Sequence, residues 1–223
     1  MLTLSEQLLL LALNDEKGSV VFAASTALPY GLAGACLLDL LLLNKITFQD
    51  KKVELLDTSP TGNGLLDESL QLLSESEKHR DVKFWVNRIH GKVKHLQNRI
   101  ADGLVEKEIL KKEEHKFLWV IPYNRYPTQN MTEEMDIRNM IRNVVLMDQP
   151  AGDREIALIS LLKACELVNQ VFQRGERHNA KKKIKALAAQ NEVGKAVSHI
   201  VQEITAAVAA AIAVSAAASS AGS

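Results

Sequence analysis

Five basic side chains lie within twelve residues near the middle of the sequence: Arg88, Lys92, Lys94, His95 and Arg99. Guanidinium and ammonium groups make charge-assisted hydrogen bonds to phosphate oxygens, so two or three of them on one helical face can bind a phosphorylated headgroup. The alternative is a solvated helix face whose charges serve solubility alone. This basic cluster is the strongest candidate for a binding site in the sequence.

Candidates for catalysis are much weaker. The six histidines lie in polar or basic surroundings, without the spacing of a metal site or of a nucleophile motif. The segment SPTGNG at residues 59–64 lacks the Lys-Ser/Thr pair of a phosphate loop and is predicted to be a turn with a helix cap. A hydrolase would need a nucleophile, a metal cluster or a carboxylate pair, and none stands out. We expect no metal ion and no cofactor.

The composition predicts a mostly α-helical protein. Among its 223 residues, 47% are hydrophobic and only 4% are aromatic, and leucine and alanine dominate. The 27 Lys and Arg residues balance 27 Asp and Glu residues, so nothing in the overall charge favours nucleic acid or another polyanion. Cys36 and Cys165 each lie in an apolar stretch and are expected to be buried, unpaired thiols.

The apolar pattern predicts a sequence of helices around one central helix. A capping box of Thr3 and Glu6 starts a helix over residues 4–13, and an almost wholly apolar run from Pro29 to Leu43, interrupted by Asp39, predicts the central buried helix. A small β-hairpin is expected at residues 46–57. The buried stripe at Val93, Leu96, Ile100, Leu104 and Ile109 fits a single helix that carries much of the basic cluster.

The second half of the sequence predicts a strand and further helices. Residues 111–116 are expected to form a charged turn before a strand over residues 117–123, which resembles the wing of a winged-helix domain. Helices are predicted over residues 132–147 and, for about five turns, from Asp153. A winged-helix nucleic-acid binder is therefore the alternative function. The neutral net charge and the acidic residues around the wing argue against it, so we expect no nucleic-acid partner.

The C-terminal residues form a region of different composition. No charged residue follows Glu203, and residues 204–223 are rich in alanine and serine. A docked amphipathic helix with a frayed tip, a peripheral contact with a membrane and a membrane anchor are all compatible with this pattern. We expect a domain over residues 1–203, followed by a helix end and tail over residues 204–223.

Five ordered blocks resemble those of the Golgi phosphoprotein 3 family. They are LTLSEQLLLLAL at residues 2–13, GLAGACLLDLLL at 31–42, SPTGNGLLDESL at 59–70, NRIADGLVEKEIL at 98–110 and DREIALISLLKA at 153–164. The resemblance implies a single mostly helical domain around a central buried apolar helix, with small β-hairpins. It also implies a protein that is not an enzyme. Eukaryotic members of that family are adaptors that bind phosphatidylinositol 4-phosphate on Golgi membranes and hold glycosyltransferases there.

The resemblance implies a headgroup site at named positions of this chain. The family's two helix arginines correspond to Lys94 and Gln97, and Arg99 lies nearby as a substitute cation. The family's tryptophan corresponds to Ala23 or Ala24, and the arginine of the central helix corresponds to Ala33. Lys94, Gln97 and Arg99 are therefore the expected headgroup-binding residues, and an anionic or phosphoinositide membrane surface is the expected partner.

The resemblance also implies a protruding hairpin that aids membrane contact or self-association. Here that hairpin should contain Phe117, Leu118 and Trp119, although packing of these side chains on the core is equally compatible with the pattern. The sequence begins directly at the domain, which resembles the bacterial branch of the family. The implied location is the cytoplasm, peripheral to the cytoplasmic face of a membrane, and the Golgi membrane in a eukaryote.

Overall fold

The structure is a computed structural model that describes residues 1–117, 121–187 and 195–220. Helices dominate these residues, as the composition predicts. They are α1 (Leu4–Ala12), α2 (Leu28–Leu42), α3 (Gly64–Ser74), α4 (Val82–Lys92), α5 (Leu96–Glu106), α6 (Thr132–Leu146), α7 (Asp153–Ala164), α8 (Val168–Val171), α9 (Arg177–Leu187) and α10 (Lys195–Ser220). Two antiparallel hairpins complete the fold: β1 (Ile46–Gln49) with β2 (Lys52–Leu55), and β3 (Glu113–Phe117) with β4 (Ile121–Arg125).

Helix α2 is the centre of the molecule, which confirms the prediction from its apolar run. All residues from Gly31 to Leu41 are buried, and α1, α4, α7 and α10 surround the helix. Gly34 faces Ile204 of α10 so closely that a Cβ atom there would lie 2.5 Å from the isoleucine Cγ2. The missing side chain at Gly34 is what allows α10 to pack directly on α2.

Two neighbours of α2, the helices α1 and α7, run antiparallel to it. Leu4, at the start of α1, contacts Asp39 near the end of α2, whereas Leu8 lies beside Gly31. Likewise α7 passes from Arg154, beside Asp39, to Cys165, beside Gly31. The end of the molecule at which α2 begins is therefore also the end at which α1 and α7 finish. We call it the α2-start end.

A buried polar contact joins α1, α2 and α7. The Asp39 carboxylate accepts hydrogen bonds from the backbone N–H groups of Leu4, at 2.9 Å and 3.0 Å, and of Ser5, at 3.4 Å. Arg154 donates to Asp39, to the Leu2 carbonyl and to Gln7. Burial raises the pKa of Asp39 to about 6, although the two N–H donors and Arg154 each act to lower it.

Several local predictions are confirmed. Thr3 and Glu6 form the capping box of α1, and Asn63, within SPTGNG, caps α3 by accepting from the N–H groups of Leu65 and Leu66. Cys36 and Cys165 are buried and unpaired, and burial raises the pKa of each thiol to about 12. The predicted boundary between residues 203 and 204 falls inside α10, which continues to Ser220.

Three predictions about element boundaries were wrong. The helix expected through residues 93–109 begins only at Leu96 and ends at Glu106, because His95 adopts a left-handed conformation with φ of 55° between α4 and α5. The helix from Asp153 ends at Ala164, because Glu166 is left-handed as well. The expected charged turn at residues 111–116 lies largely in β3, where Glu113 pairs with Arg125 and the His115 ring stacks on Tyr123.

The expected strand over residues 117–123 is therefore split between β3 and β4. Of the predicted hairpin residues, Phe117 ends β3, and Leu118 and Trp119 lie outside the described residues. The acidic Glu113 and Glu114 lie on β3 itself. This arrangement gives no support to a wing that binds nucleic acid, because a polyanion would meet carboxylates along that strand.

Candidate headgroup site

A hollow of about 280 Å³ lies at the α2-start end, where α4 is followed by α5. Its walls are Pro29 and Leu32 of α2, His90 and Val93 from the end of α4, and residues 95–98 at the start of α5. Three separate helices meet at this hollow because the left-handed His95 turns the chain sharply between α4 and α5. The turn between α4 and α5, which the hydrophobic periodicity did not predict, therefore forms one side of the hollow.

The first turn of α5 supplies backbone donors to the hollow. The N–H groups of the first residues of an α-helix have no acceptor within the helix, and no side chain of the described residues caps α5. Leu96, Gln97 and Asn98 carry these N–H groups and also line the hollow. Such N–H groups at a helix start bind anions, phosphate groups among them.

Two imidazoles flank these donors. The His90 ring lies 4.3 Å from the Tyr30 ring, measured between centroids, and loss of solvent there lowers the pKa of His90. A neutral imidazole offers one donor and one acceptor, so His90 contributes hydrogen bonding and no charge at neutral pH. His95 lies at the turn itself and is exposed. The hollow therefore combines directed donors with little formal charge.

The structure brings only part of the predicted site together. Gln97 lines the hollow, and Lys94 is exposed between Val93 and His95, two lining residues. Arg99 lies elsewhere: its guanidinium pairs with Glu68 of α3 at 2.6 Å, and the residue lines a different depression that also includes Glu6 and Glu106. Arg99 therefore faces a carboxylate on another surface and does not border the hollow, and its assignment to a headgroup stays a prediction.

Arg88 lies on a separate surface as well. It lines an open depression along α4, where the guanidinium carbons of Arg80 and Arg88 lie 5.1 Å and 6.0 Å from the centre of the Phe84 ring. Cation–π contacts of this kind hold the arginines against the helix. The five-residue basic cluster of the sequence is therefore not one surface, and only Lys94 and His95 border the hollow.

The positions implied by the family's other headgroup residues also differ. Ala33 and Ala24 are fully buried, so neither contributes to the surface, whereas Ala23 is exposed. The adjacent Phe22 is 93% exposed and precedes α2 at the same end of the molecule. Sequence reasoning missed both Phe22 and His90. Phe22 could have been found from the sequence, because it is an aromatic residue next to the position that corresponds to the family's tryptophan. No signal in the sequence pointed to His90.

Comparison with known proteins places the whole fold in a family. The sequence profile described as Golgi phosphoprotein 3 (GPP34) matches residues 4–204. The chain is also 33% identical over 138 residues to the vacuolar protein sorting-associated protein 74 of Schizosaccharomyces pombe. That alignment covers 52% of this chain and 40% of the relative. Because the profile extends from the first residue of α1 into the middle of α10, the chain belongs to the Golgi phosphoprotein 3 (GPP34) family.

Proposed function

We propose that this protein is a non-enzymatic, peripheral membrane adaptor that binds a phosphorylated lipid headgroup, of the phosphoinositide class, in the hollow beside α5. The observation that carries the proposal is the uncapped first turn of α5, which opens into a cavity of about 280 Å³. Family membership supports a peripheral, Golgi-type adaptor role, and the name of the S. pombe relative associates it with protein sorting. The protein would act at the cytoplasmic face of the membrane.

The residues of the hollow contribute to headgroup binding in two ways, through directed hydrogen bonds and through electrostatic attraction. The N–H groups of α5 and the Gln97 amide donate to phosphate oxygens in fixed directions. Lys94 adds attraction from an exposed position, where salt screens it. Headgroup recognition with few cations predicts weak binding that depends on ionic strength, so a second contact with the membrane would be needed for stable attachment.

Vesicle co-sedimentation tests the proposal. The protein is mixed with vesicles of phosphatidylcholine alone, with added phosphatidylserine, or with added phosphatidylinositol 4-phosphate at matched total charge, at low and physiological salt. We expect the phosphoinositide vesicles to retain the most protein, because directed donors distinguish a phosphomonoester from diffuse negative charge. Equal binding to both anionic vesicles would leave only a nonspecific basic surface, and no binding would exclude the lipid function.

A charge reversal locates the site. Lys94→Glu is expected to weaken binding to phosphoinositide vesicles about tenfold, because it replaces an attraction with a repulsion beside the hollow. Lys52→Glu is the matched control, since it makes the same charge change at an exposed position of the β1–β2 hairpin. Equal losses in both variants, or full binding by Lys94→Glu, would move the site away from α5.

Self-association through the hairpin that contains Phe117, Leu118 and Trp119 is a separate part of the proposal. Apolar and aromatic residues beside a two-stranded hairpin are suited to pairing with a second copy. Sedimentation velocity of the protein and of Trp119→Ser tests it. A concentration-dependent increase in mass that the substitution abolishes is the expected result, and a monomer at all concentrations would exclude it.

A further inference from the structure

Residues 213–218, near the end of α10, carry no charge and are exposed to solvent. Among the described residues, α10 is the helix long and apolar enough to cross a membrane by length and composition: residues His199–Ala218 have a mean hydropathy of 1.8, but most of them are not buried. The buried hydrophobic residues of α10 all precede Ala209: Val197, Ile200, Val201, Ile204, Ala207 and Val208. Residues 213–218 are all exposed, with Val214 at 72%. We call residues 213–218 the α10 tip.

The direction of α10 fixes where this tip lies. His199, near its start, has its ring 5.9 Å from Phe48 of β1, which follows the end of α2. Ile204, farther along, packs on Gly34 in the first half of α2. Helix α10 therefore runs antiparallel to α2, and eight further residues carry it past the beginning of α2. The α10 tip projects from the α2-start end, where the hollow and the exposed Phe22 also lie.

At this end, the charge on the α4 side of α10 complements an anionic bilayer, whereas Asp15 and Glu16 lie on the α1 side. Helix α10 packs between α4 and α7. Its neighbour α4 ends in His90 and Lys92 and continues into Lys94, with no acidic residue from Val82 to Ala101. On the other side, Lys163 and Glu166 at the end of α7 offset each other. An uncharged helix end is thus bordered by basic residues on one side and by a neutral pair on the other, which favours a negatively charged lipid surface.

We propose that the α10 tip inserts into the same anionic membrane whose headgroup the hollow binds. This inference rests on the proposed function and adds to it the second contact that weak headgroup binding requires. The surface that meets the membrane then consists of three parts at one end of the molecule: the hollow, Phe22 and the α10 tip.

The length of the exposed end of α10 indicates partial insertion into the bilayer and not a membrane-spanning segment. The residues of α10 beyond Ile212, which still packs partly on the core, number eight to Ser220 and extend about 12 Å at 1.5 Å per residue. A hydrocarbon core is about 30 Å thick, so the tip reaches no deeper than one leaflet. Its alanines and single valine provide little transfer free energy, so insertion depends on attraction of the basic residues to anionic lipid.

A fluorescent label on the tip tests the inference directly. Val214→Cys is labelled with a nitrobenzoxadiazole dye, whose emission shifts to shorter wavelength and brightens in hydrocarbon. The native thiols do not compete, because Cys36 and Cys165 are buried and burial raises their pKa to about 12. Met147→Cys is the matched control, since Met147 is 71% exposed at the end of α6. Binding of each labelled protein to phosphatidylcholine vesicles with and without phosphatidylserine is measured in parallel by co-sedimentation.

The two measurements separate the two hypotheses. A spectral shift at position 214 but not at position 147, with the anionic vesicles alone, is the expected result. Co-sedimentation with no shift at position 214 would overturn insertion and leave the proposed function intact. Absence of co-sedimentation with these and with phosphoinositide vesicles would overturn both. A shift at both positions would indicate unfolding on the membrane and would also overturn the inference.

Substitutions of the same residue give an independent measurement. Val214→Glu is expected to weaken binding to anionic vesicles about tenfold, because a carboxylate is expelled from hydrocarbon and repelled by the lipid charge. Met147→Glu, which adds the same charge at an equally exposed position, is expected to change binding less than twofold. Val214→Leu with Ala218→Leu, one turn apart on the helix, should strengthen binding severalfold. Unchanged binding in both tip variants would contradict insertion.

Discussion

The first turns of α1 and α5 present the same backbone donors in opposite situations. In α1, the Asp39 carboxylate accepts from Leu4 and Ser5, and the Thr3 hydroxyl accepts from the Glu6 N–H group. In α5, the described residues provide no side-chain cap, and the first turn faces a cavity. A buried carboxylate of the same chain fills in α1 the position that we assign to a lipid phosphate in α5.

This difference between the two helix starts assigns α1 a role in stability and α5 a role in binding. At α1, an anion fixed by folding holds three helices together, and its desolvation is offset by N–H donors and by Arg154. At α5, the donors stay available because His95 turns the chain without capping it. Substitutions at the first site should therefore change unfolding and leave lipid binding unaffected, and substitutions at the second should do the reverse.

The largest effect is expected from Asp39→Ala. Removal of the carboxylate leaves the buried N–H groups of Leu4 and Ser5 without their acceptor and leaves Arg154 without its acidic partner, so the free energy of unfolding should fall by about 3 kcal/mol or more. Urea denaturation followed by circular dichroism measures it. Gln97→Ala, at the open helix start, is the control and should change stability by less than about 0.5 kcal/mol. Equal effects of the two would remove the distinction.

The second largest effect is expected in the pH dependence of the free energy of unfolding, which should reveal the raised pKa of Asp39. A carboxyl group whose pKa is higher in the folded state binds more protons when folded, so the free energy of unfolding falls as pH rises from about 4, its ordinary pKa, to about 6. A difference of about two pKa units corresponds to about 3 kcal/mol at most. Denaturation of the protein and of Asp39→Asn across this range gives the difference. Parallel curves for the two proteins would contradict a raised pKa.

Gln97→Arg should sharpen the specificity of the open site. An arginine there restores the cation that the family resemblance implies and places it beside the N–H groups of α5, so binding to phosphatidylinositol 4-phosphate vesicles should strengthen about tenfold. Phosphatidylserine vesicles should gain less, because the new guanidinium is directed at the hollow. An equal gain with both lipids would show that the hollow does not select the headgroup.

The smallest effect is expected from His95→Gly. Glycine adopts the left-handed conformation at no steric cost, so the protein should be stabilised, by less than about 1 kcal/mol because glycine also gains freedom in the unfolded chain. Loss of the imidazole should weaken phosphoinositide binding two- to threefold. Thermal unfolding and co-sedimentation of the same preparation show whether the two properties move in opposite directions. Weaker folding would mean that the His95 side chain stabilises the turn.

Local signals in the sequence predicted much of the fold. The capping box of Thr3 and Glu6, the apolar run of α2 and the β1–β2 hairpin each depend on neighbouring residues, and the structure confirms all three. The ends of α4 and α7 depend on left-handed His95 and Glu166. Neither residue is a glycine, which usually marks a left-handed conformation at a helix end. The helices predicted from the hydrophobic periodicity therefore continued through both positions.

The site was predicted less completely, because it depends on long-range contacts. Gln97 lines the hollow and Lys94 lies beside it, and their assignment to a headgroup stays a prediction. Arg99 was assigned there too, but its partner Glu68 lies 31 residues away on α3. His90 enters the site only because α4 packs against the start of α2. Nearness in sequence does not show which cations are already paired within the fold.

The antiparallel arrangement around α2 also affects the electrostatic potential that a bilayer would meet. Helices α1, α4, α7 and α10 direct their carbonyl ends toward the α2-start end, where α2 and α5 direct their N–H ends. Each carbonyl end carries a partial negative charge, and Lys92 and Lys163 lie in the last turns of α4 and α7, where cations offset it. Part of the basic charge at this end therefore compensates the protein's own backbone. The long-range attraction to anionic lipid is therefore weaker than the number of lysines implies. Discrimination between lipid headgroups then depends on the short-range N–H donors of α5.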